Sequence, residues 1–232
     1  MAAAQTPHPA FEVAWVKPAP PGADPASGSW SAPGKGRFSA SHVSLARLLL
    51  LAYGIDDSQI ANKPEWLETN LYDVAAEPEE GITLTREELR PRLQELLRVR
   101  FHLVAHLETR SSRGYALTVT KDAARRLTPT KADHFPGFRI DVSPGQMKGA
   151  NWTITQLATY LTPAAGFPVV DQTGIAGSYD IGFSYEAGTD SESTLPSLNV
   201  ALKQATGLLL KPQTVWVQTL VIESVDKMPT AN

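Results

Sequence analysis

Phe38-Ser39-Ala40-Ser41-His42-Val43 runs into Ser44-Leu45-Ala46-Arg47-Leu48-Leu49-Leu50-Leu51-Ala52-Tyr53-Gly54. The first part reads as a strand and the second as a helix that Gly54 stops. A similar order returns about 105–110 residues later, the signature of an internal repeat. There Met147 to Trp152 precedes Thr153 to Leu161, with Thr153 and Gln156 at capping-box spacing. Pro163 and Gly166 are expected to end that helix.

Working outward, each half continues into a Tyr-Asp strand, Tyr72-Asp73-Val74-Ala75-Ala76 in one and Tyr179-Asp180-Ile181-Gly182-Phe183-Ser184-Tyr185 in the other. A second helix follows. Thr85-Arg86-Glu87-Glu88 is another capping box, with Leu89, Leu93, Leu96 and Leu97 at helical period. Its counterpart carries Leu195, Leu198, Ala201 and Leu202 after Thr194, with Pro196 placed in the first turn, where a missing donor costs nothing. Two extended segments close each half. Phe101, Leu103, Ala105 and Leu107 alternate before a turn at Arg113-Gly114 and a second segment, Tyr115 to Val119. In the other half Leu208 to Leu210 breaks at Lys211-Pro212-Gln213, and Thr214 to Val225 reads as a long strand rich in β-branched residues.

The shared order, strand-helix-strand-helix-strand-strand, predicts an α+β fold of two tandem sheet-and-helix units. Their expected bounds are 37–121 and 138–232, joined by a linker over 122–137 that carries Pro129 and Pro136. Residues 1–36 form a Pro-rich arm. Seven prolines precede Arg37, so helix and sheet interior are excluded there. Phe11, Val13 and Trp15 alternate with Glu12 and Ala14, which predicts one edge strand with the Phe11, Val13, Trp15 face buried. Such a strand packs on its own unit or adds to a neighbour's sheet.

Composition narrows the function classes. The 232 residues include no cysteine, and 21 Lys+Arg against 24 Asp+Glu leave a net charge of −3. A disulfide scaffold is excluded, and a dedicated nucleic-acid binder is not expected. The longest apolar run, Leu48 to Tyr53, is far below the roughly 20 residues that span a bilayer. Small residues followed by polar, Pro-rich sequence at the start resemble what remains after a secretory leader is cut, so the expected location is secreted or cell envelope.

Chemistry-bearing residues mostly read as structural. His102 and His106 lie on a period-two segment, which would set them ~13 Å apart at ~3.3 Å per residue and preclude a shared metal. Pro33-Gly34-Lys35-Gly36-Arg37-Phe38 lacks the Gly-Lys-Ser/Thr ending of a phosphate loop and reads as a turn. Ser224-Val225-Asp226-Lys227 has the Ser-x-x-Lys spacing of a penicillin-binding nucleophile without its companion motifs. The acidic pairs Asp56-Asp57, Glu79-Glu80 and Glu87-Glu88 are adjacent in sequence and do not face one another. Asp73 and Asp180, each after a tyrosine, are expected to fix a turn or cap. Trp66, Trp152 and Trp216 are expected in cores. No catalytic, cofactor-binding or metal residue is assigned and no cofactor is expected; the interface candidates are Phe11, Val13, Trp15 and Trp30.

Phe11-Glu12-Val13-Ala14, Gly36-Arg37-Phe38-Ser39-Ala40, Leu51-Ala52-Tyr53-Gly54, Pro64-Glu65-Trp66-Leu67, Tyr72-Asp73-Val74, Leu96-Leu97-x-x-Arg100-Phe101 and Pro168-Val169-Val170-Asp171-Gln172-Thr173-Gly174 up to Tyr179-Asp180 carry a likeness. Over nearly the whole chain the sequence resembles the secreted bacterial family of domain of unknown function 3738, common in soil bacteria. That resemblance implies export and supplies no catalytic residue. A weaker likeness is to the short N-terminal modules of secretins and TonB-dependent receptors, which pack in rings and bind protein partners. The expected function is therefore non-enzymatic: self-assembly into a ring or extracellular fibre, with the arm offering a strand to the next copy. The alternative is an envelope domain binding a peptide, glycan or signalling partner, and the third is a hydrolase whose residues meet only in three dimensions.

Overall fold

The structure, a computed structural model, describes residues 9–31, 37–130, 139–188 and 194–230. The chain divides into two compact units, unit 1 comprising Met1–Thr109 with Gln218–Asn232 and unit 2 comprising Arg110–Val217. The fold is α+β.

In unit 1, β1 (Val13–Pro18) and β2 (Ser29–Trp30) precede β3 (Phe38–Ser44), α1 (Leu45–Tyr53), β4 (Ile60–Ala61), α2 (Trp66–Thr69), β5 (Leu71–Glu77) and α3 (Arg86–Phe101). β6 (Val104–Val119) follows and contributes its first part. The antiparallel sheet has the order β1-β5-β3-β2. Its apolar face, with Phe38, Val43, Tyr72 and Val74, shares one core with Leu48 and Leu49 of α1 and Leu93 and Leu97 of α3.

Unit 2 contains α4 (Ala123–Arg126), β7 (Thr128–Pro129), β8 (Arg139–Ser143), β9 (Gln146–Trp152), α5 (Ile154–Ala165), β10 (Val169–Asp171), β11 (Tyr179–Ser184) and α6 (Leu198–Thr206). β12 (Leu208–Ser224) begins here. The sheet order is β7-β11-β9-β8, again antiparallel. Met147, Trp152, Leu157, Leu161 and Leu202 are in its core.

The two topologies are the same. β3 meets β5 with Ala40 opposite Val74 and Val43 opposite Tyr72, and a bulge between. β9 meets β11 with Gly149 opposite Ile181 and Trp152 opposite Tyr179, also across a bulge. On the outer side Pro18 faces Tyr72 and Pro129 faces Tyr179. The short parallel strands agree as well, β4 with β12 at Ile60 and Leu220, and β10 with β6 at Val169 and Tyr115. Packing shows how one module holds different side chains. Val43 sits with Ala40, whereas the larger Trp152 requires Gly149, where an added Cβ would lie 1.9 Å from the indole.

Helix starts follow the sequence reading. The Ser44 hydroxyl accepts from the Arg47 amide at 3.2 Å, and the capping boxes of Thr85 with Glu88 and Thr153 with Gln156 are closed in both directions. Gly54, Gly166 and Gly207 end helices in the left-handed conformation.

Several expectations need correction. No turn forms at Arg113-Gly114, because β6 runs unbroken from Val104 to Val119. Gly114 permits close approach instead: a Cβ there would meet the Pro168 carbonyl oxygen and Val215, each at 2.5 Å. Likewise Pro212 does not interrupt β12. β6 and β12 each contribute residues to both units, so unit 1 comprises 1–109 with 218–232 and unit 2 comprises 110–217, rather than the expected 37–121 and 138–232. Within the expected linker 122–137, Ala123 and Leu127 are buried in the unit 2 core, and residues 131–137 lie outside those described. α5 continues past Pro163 to Ala165, the buried Leu161 and Thr162 anchoring its last turn. α6 begins only at Leu198, so Pro196 precedes the helix.

The Pro-rich arm is no separate body. Its β1 and β2 are the two edges of the unit 1 sheet, where proline is tolerated. The inward residue of β1 is Val16, 3% exposed, while Val13 is 58% exposed, the reverse of the expected face. A one-residue slip of register exchanges the two faces of a strand.

Candidate functional site

The duplicated Tyr-Asp pairs organise the most unusual backbone in each unit. At the β3 bulge His42 has φ 52°, and its amide donates to Asp73 Oδ1 at 2.9 Å. At the β9 bulge Asn151 has φ 62°, and its amide donates to Asp180 Oδ1 at 3.2 Å. Non-glycine residues in this region carry strain of order 1–3 kcal/mol, and Asn and His are among the residues that enter it most readily. Each bulge takes an amide out of the ladder and the carboxylate satisfies it, which is the turn-fixing role expected of both aspartates.

Around His42 the two units part. Asp24 caps the 3-10 turn Pro25–Ser27 through the Ala26 amide. Gly28 lets that turn close on β3, since a Cβ would lie 2.8 Å from the His42 carbonyl oxygen. Ser27 Oγ then sits 2.8 Å from His42 Nδ1. The result is a cleft of about 380 Å³ lined by Trp30, His42, Arg47, Glu68 and Leu71 among others. Glu68 is neutralised by Lys63, which also bonds Asp57 at 2.7 Å. Burial opposes the Lys63 charge, but hydrogen bonds to Asp57 and Glu68 hold its pKa above the ordinary value. Arg47 has no acidic partner within ion-pair distance among the described residues.

Proton placement limits the chemistry of this cleft. A serine hydroxyl has one proton, and Ser27 Oγ donates it to the Asp24 carbonyl oxygen at 2.6 Å. His42 Nδ1 must then donate to Ser27. That is opposite to the direction a serine nucleophile needs, and Asp73 contacts the main chain of His42 rather than its ring. The groups suit hydrogen bonding, charge pairing and stacking.

The other expected residues are dispersed. Of the interface candidates, Phe11 and Trp30 are half-buried against the unit 1 core, while Val13 is exposed and Trp15 lies under the Lys17 ammonium at 5.2 Å. Trp152 is a core residue and Trp66 packs against one, but Trp216 is 69% exposed, because β12 buries its neighbour Val215. His102 is not on a strand; it caps α3 in the left-handed conformation and bonds Asp226 at 2.8 Å. His106 on β6 bonds Glu223 at 2.9 Å. No group of three His, Asp or Glu among the described residues could hold a metal ion. No helix among them is long and apolar enough to cross a membrane. Pro33 to Gly36 lies outside the described residues. The sequence reading missed the His42 cleft, although pairing Ser44 with Thr153 sets His42 against Asn151 and marks the substitution.

Two units of matching strand order, whose recurrent polar residues secure bulges and helix starts, define a two-unit α+β protein with a polar cleft in its first unit. The profile of the family described as Protein of unknown function (DUF3738) matches residues 46–225, and the chain belongs to that family. No curated protein and no solved structure matched it.

Proposed function

We propose that the chain is an exported, non-enzymatic interaction protein and that the His42 cleft recognises a polar, negatively charged group on a peptide or glycan partner. The observation that carries this reading is the side-chain set at the bulge. Unit 1 places Trp30, the His42 imidazole and Arg47, which has no acidic partner among the described residues, around a bulge that has the same backbone in unit 2. Export rests on the family resemblance. The test is titration calorimetry with a panel of acidic peptides and anionic oligosaccharides against the full chain and His42→Asn, the residue unit 2 uses. Saturable binding lost in the variant, with thermal stability retained, supports the reading; binding that His42→Asn leaves unchanged contradicts it.

Self-assembly is a second reading, favoured by the five-residue edge strand β8. Exchange of the arm is the less economical route, since β1 would first lose six cross-strand pairs with β5. Light scattering of the full chain over a concentration series tests it. A mass fixed at the 25.1 kDa monomer contradicts assembly.

A further inference from the structure

The matching registers differ, among the described residues, in how far one sheet edge is paired. In unit 1 the outer edge of β5 is paired along its length, Val13 to Pro18 facing Glu77 to Tyr72. In unit 2 the corresponding edge of β11 is paired only where Pro129 faces Tyr179 and Thr128 faces Asp180. The chain before Thr128 turns away into α4, so Ile181 to Ser184 pair only with β9 among the described residues. We propose that this edge accepts an extended segment of a partner polypeptide as an added strand, in the place that Val13–Val16 fills in unit 1.

The filled copy states what the occupant must be. Unit 1 takes a strand with small or β-branched residues, Ala14 and Val16, on one face and an aromatic, Phe11, just before it. The helix beside the slot differs in polarity. Aligning the left-handed caps His102 and Gly207 sets Glu95 against Val200 and Arg100 against Ala205. Arg100 ties down the resident strand by donating to the Ala14 carbonyl at 2.6 Å, whereas Val200 is 46% exposed. The helix beside this edge thus carries Val200 and Ala205 where unit 1 has Glu95 and Arg100, and the nearby Arg126 of α4 donates to the Gln204 carbonyl at 2.6 Å. An apolar extended segment fits this edge, with main-chain hydrogen bonds providing the affinity. This chain's own arm is not the occupant, because moving it would break six pairs to form four.

Backbone direction names the variant. The Leu71 and Glu77 carbonyls accept from the arm, so odd-numbered residues of β5 bond outward, and their counterparts on β11 are Asp180, Gly182 and Ser184. Gly182→Pro removes one outward donor, and the nearest atom to an added Cβ is Lys148 Cγ at 3.7 Å. The probe is a synthetic peptide of residues 9–20, labelled for fluorescence anisotropy, a surrogate strand with no ladder to lose. Expected is saturable binding to the full chain, weakened about tenfold or more by Gly182→Pro and by Ser184→Pro. His42→Asn leaves it unchanged, which separates this site from the cleft. Absence of saturable binding overturns the proposal, as does binding that neither proline alters in a folded variant. So does assembly of the chain alone that Gly182→Pro abolishes, which would make a second copy the occupant.

Discussion

Unit 1 and unit 2 have one backbone plan and differ where it is finished. Unit 1 closes its sheet with β1 and surrounds its bulge with Trp30, His42 and Arg47. Among the described residues, unit 2 leaves most of the equivalent edge unpaired, puts Asn151 at the bulge and fills the core beneath it with Trp152. The parts that agree are those that satisfy backbone groups or bury apolar surface. The parts that differ are the residues around the bulge, the outer sheet edge and one core position, where Trp152 stands for Val43.

Exchanging core residues between the units probes the comparison most strongly. Trp152→Ala removes a fully buried indole and is expected to cost about 3–5 kcal/mol, read from the denaturant midpoint. Gly149→Ala drives a methyl into the same ring and is expected to cost about 1–3 kcal/mol in the wild-type background. In a Trp152→Val background, which reproduces the Ala40 and Val43 pair of unit 1, that second cost should nearly vanish. Independent, additive costs would break the correspondence.

The carboxylates come next. Asp73→Ala leaves the His42 amide without its acceptor and is expected to cost about 1–3 kcal/mol, while Asp180→Ala should cost less, because the Asn151 amide also donates to Thr130 Oγ1 at 3.2 Å. His42→Asn should change stability by less than about 1 kcal/mol, because asparagine enters the left-handed region at least as readily. A large loss there would mean that the imidazole holds the fold.

The smallest effect lies at the start of α3. The Thr85 amide, and then its hydroxyl, donate to Glu88 and hold its carboxyl below the ordinary value of 4.5. A depressed carboxyl contributes stability that is present above its unfolded pKa and is lost as pH falls through the folded one, so the loss occurs below about pH 4.5. Glu88→Gln should flatten the stability curve in that acidic window by lowering stability slightly at neutral pH, while leaving the fully acidic end, where the wild-type carboxyl is already protonated, unchanged. An unaltered acid limb would remove the carboxylate from the cap.

Much of this was legible from local signals. Capping boxes at Thr85 and Thr153, the glycine stops and the paired Tyr-Asp strands are short-range chemistry, and each appears where its residues lie. What escaped depends on long-range contact. Gly114 looks like a turn until Pro168 and Val215 are seen against it, and Trp216 looks like core until Val215 takes the inward face. The arm's face was misread because Phe11 precedes β1 and sets a false phase for the alternation. The cleft required residues 24–30, 42–47 and 68 to meet, which no window of sequence contains.

Native-state hydrogen exchange followed by NMR compares the filled and the vacant edge most directly. The amide of Ala75, facing Trp15 of the arm, should be strongly protected, while that of Gly182 at the equivalent place should exchange at a rate near that of open backbone. Equal protection of the two amides in the chain alone would show that unit 2 has no vacancy and that the two units are finished alike.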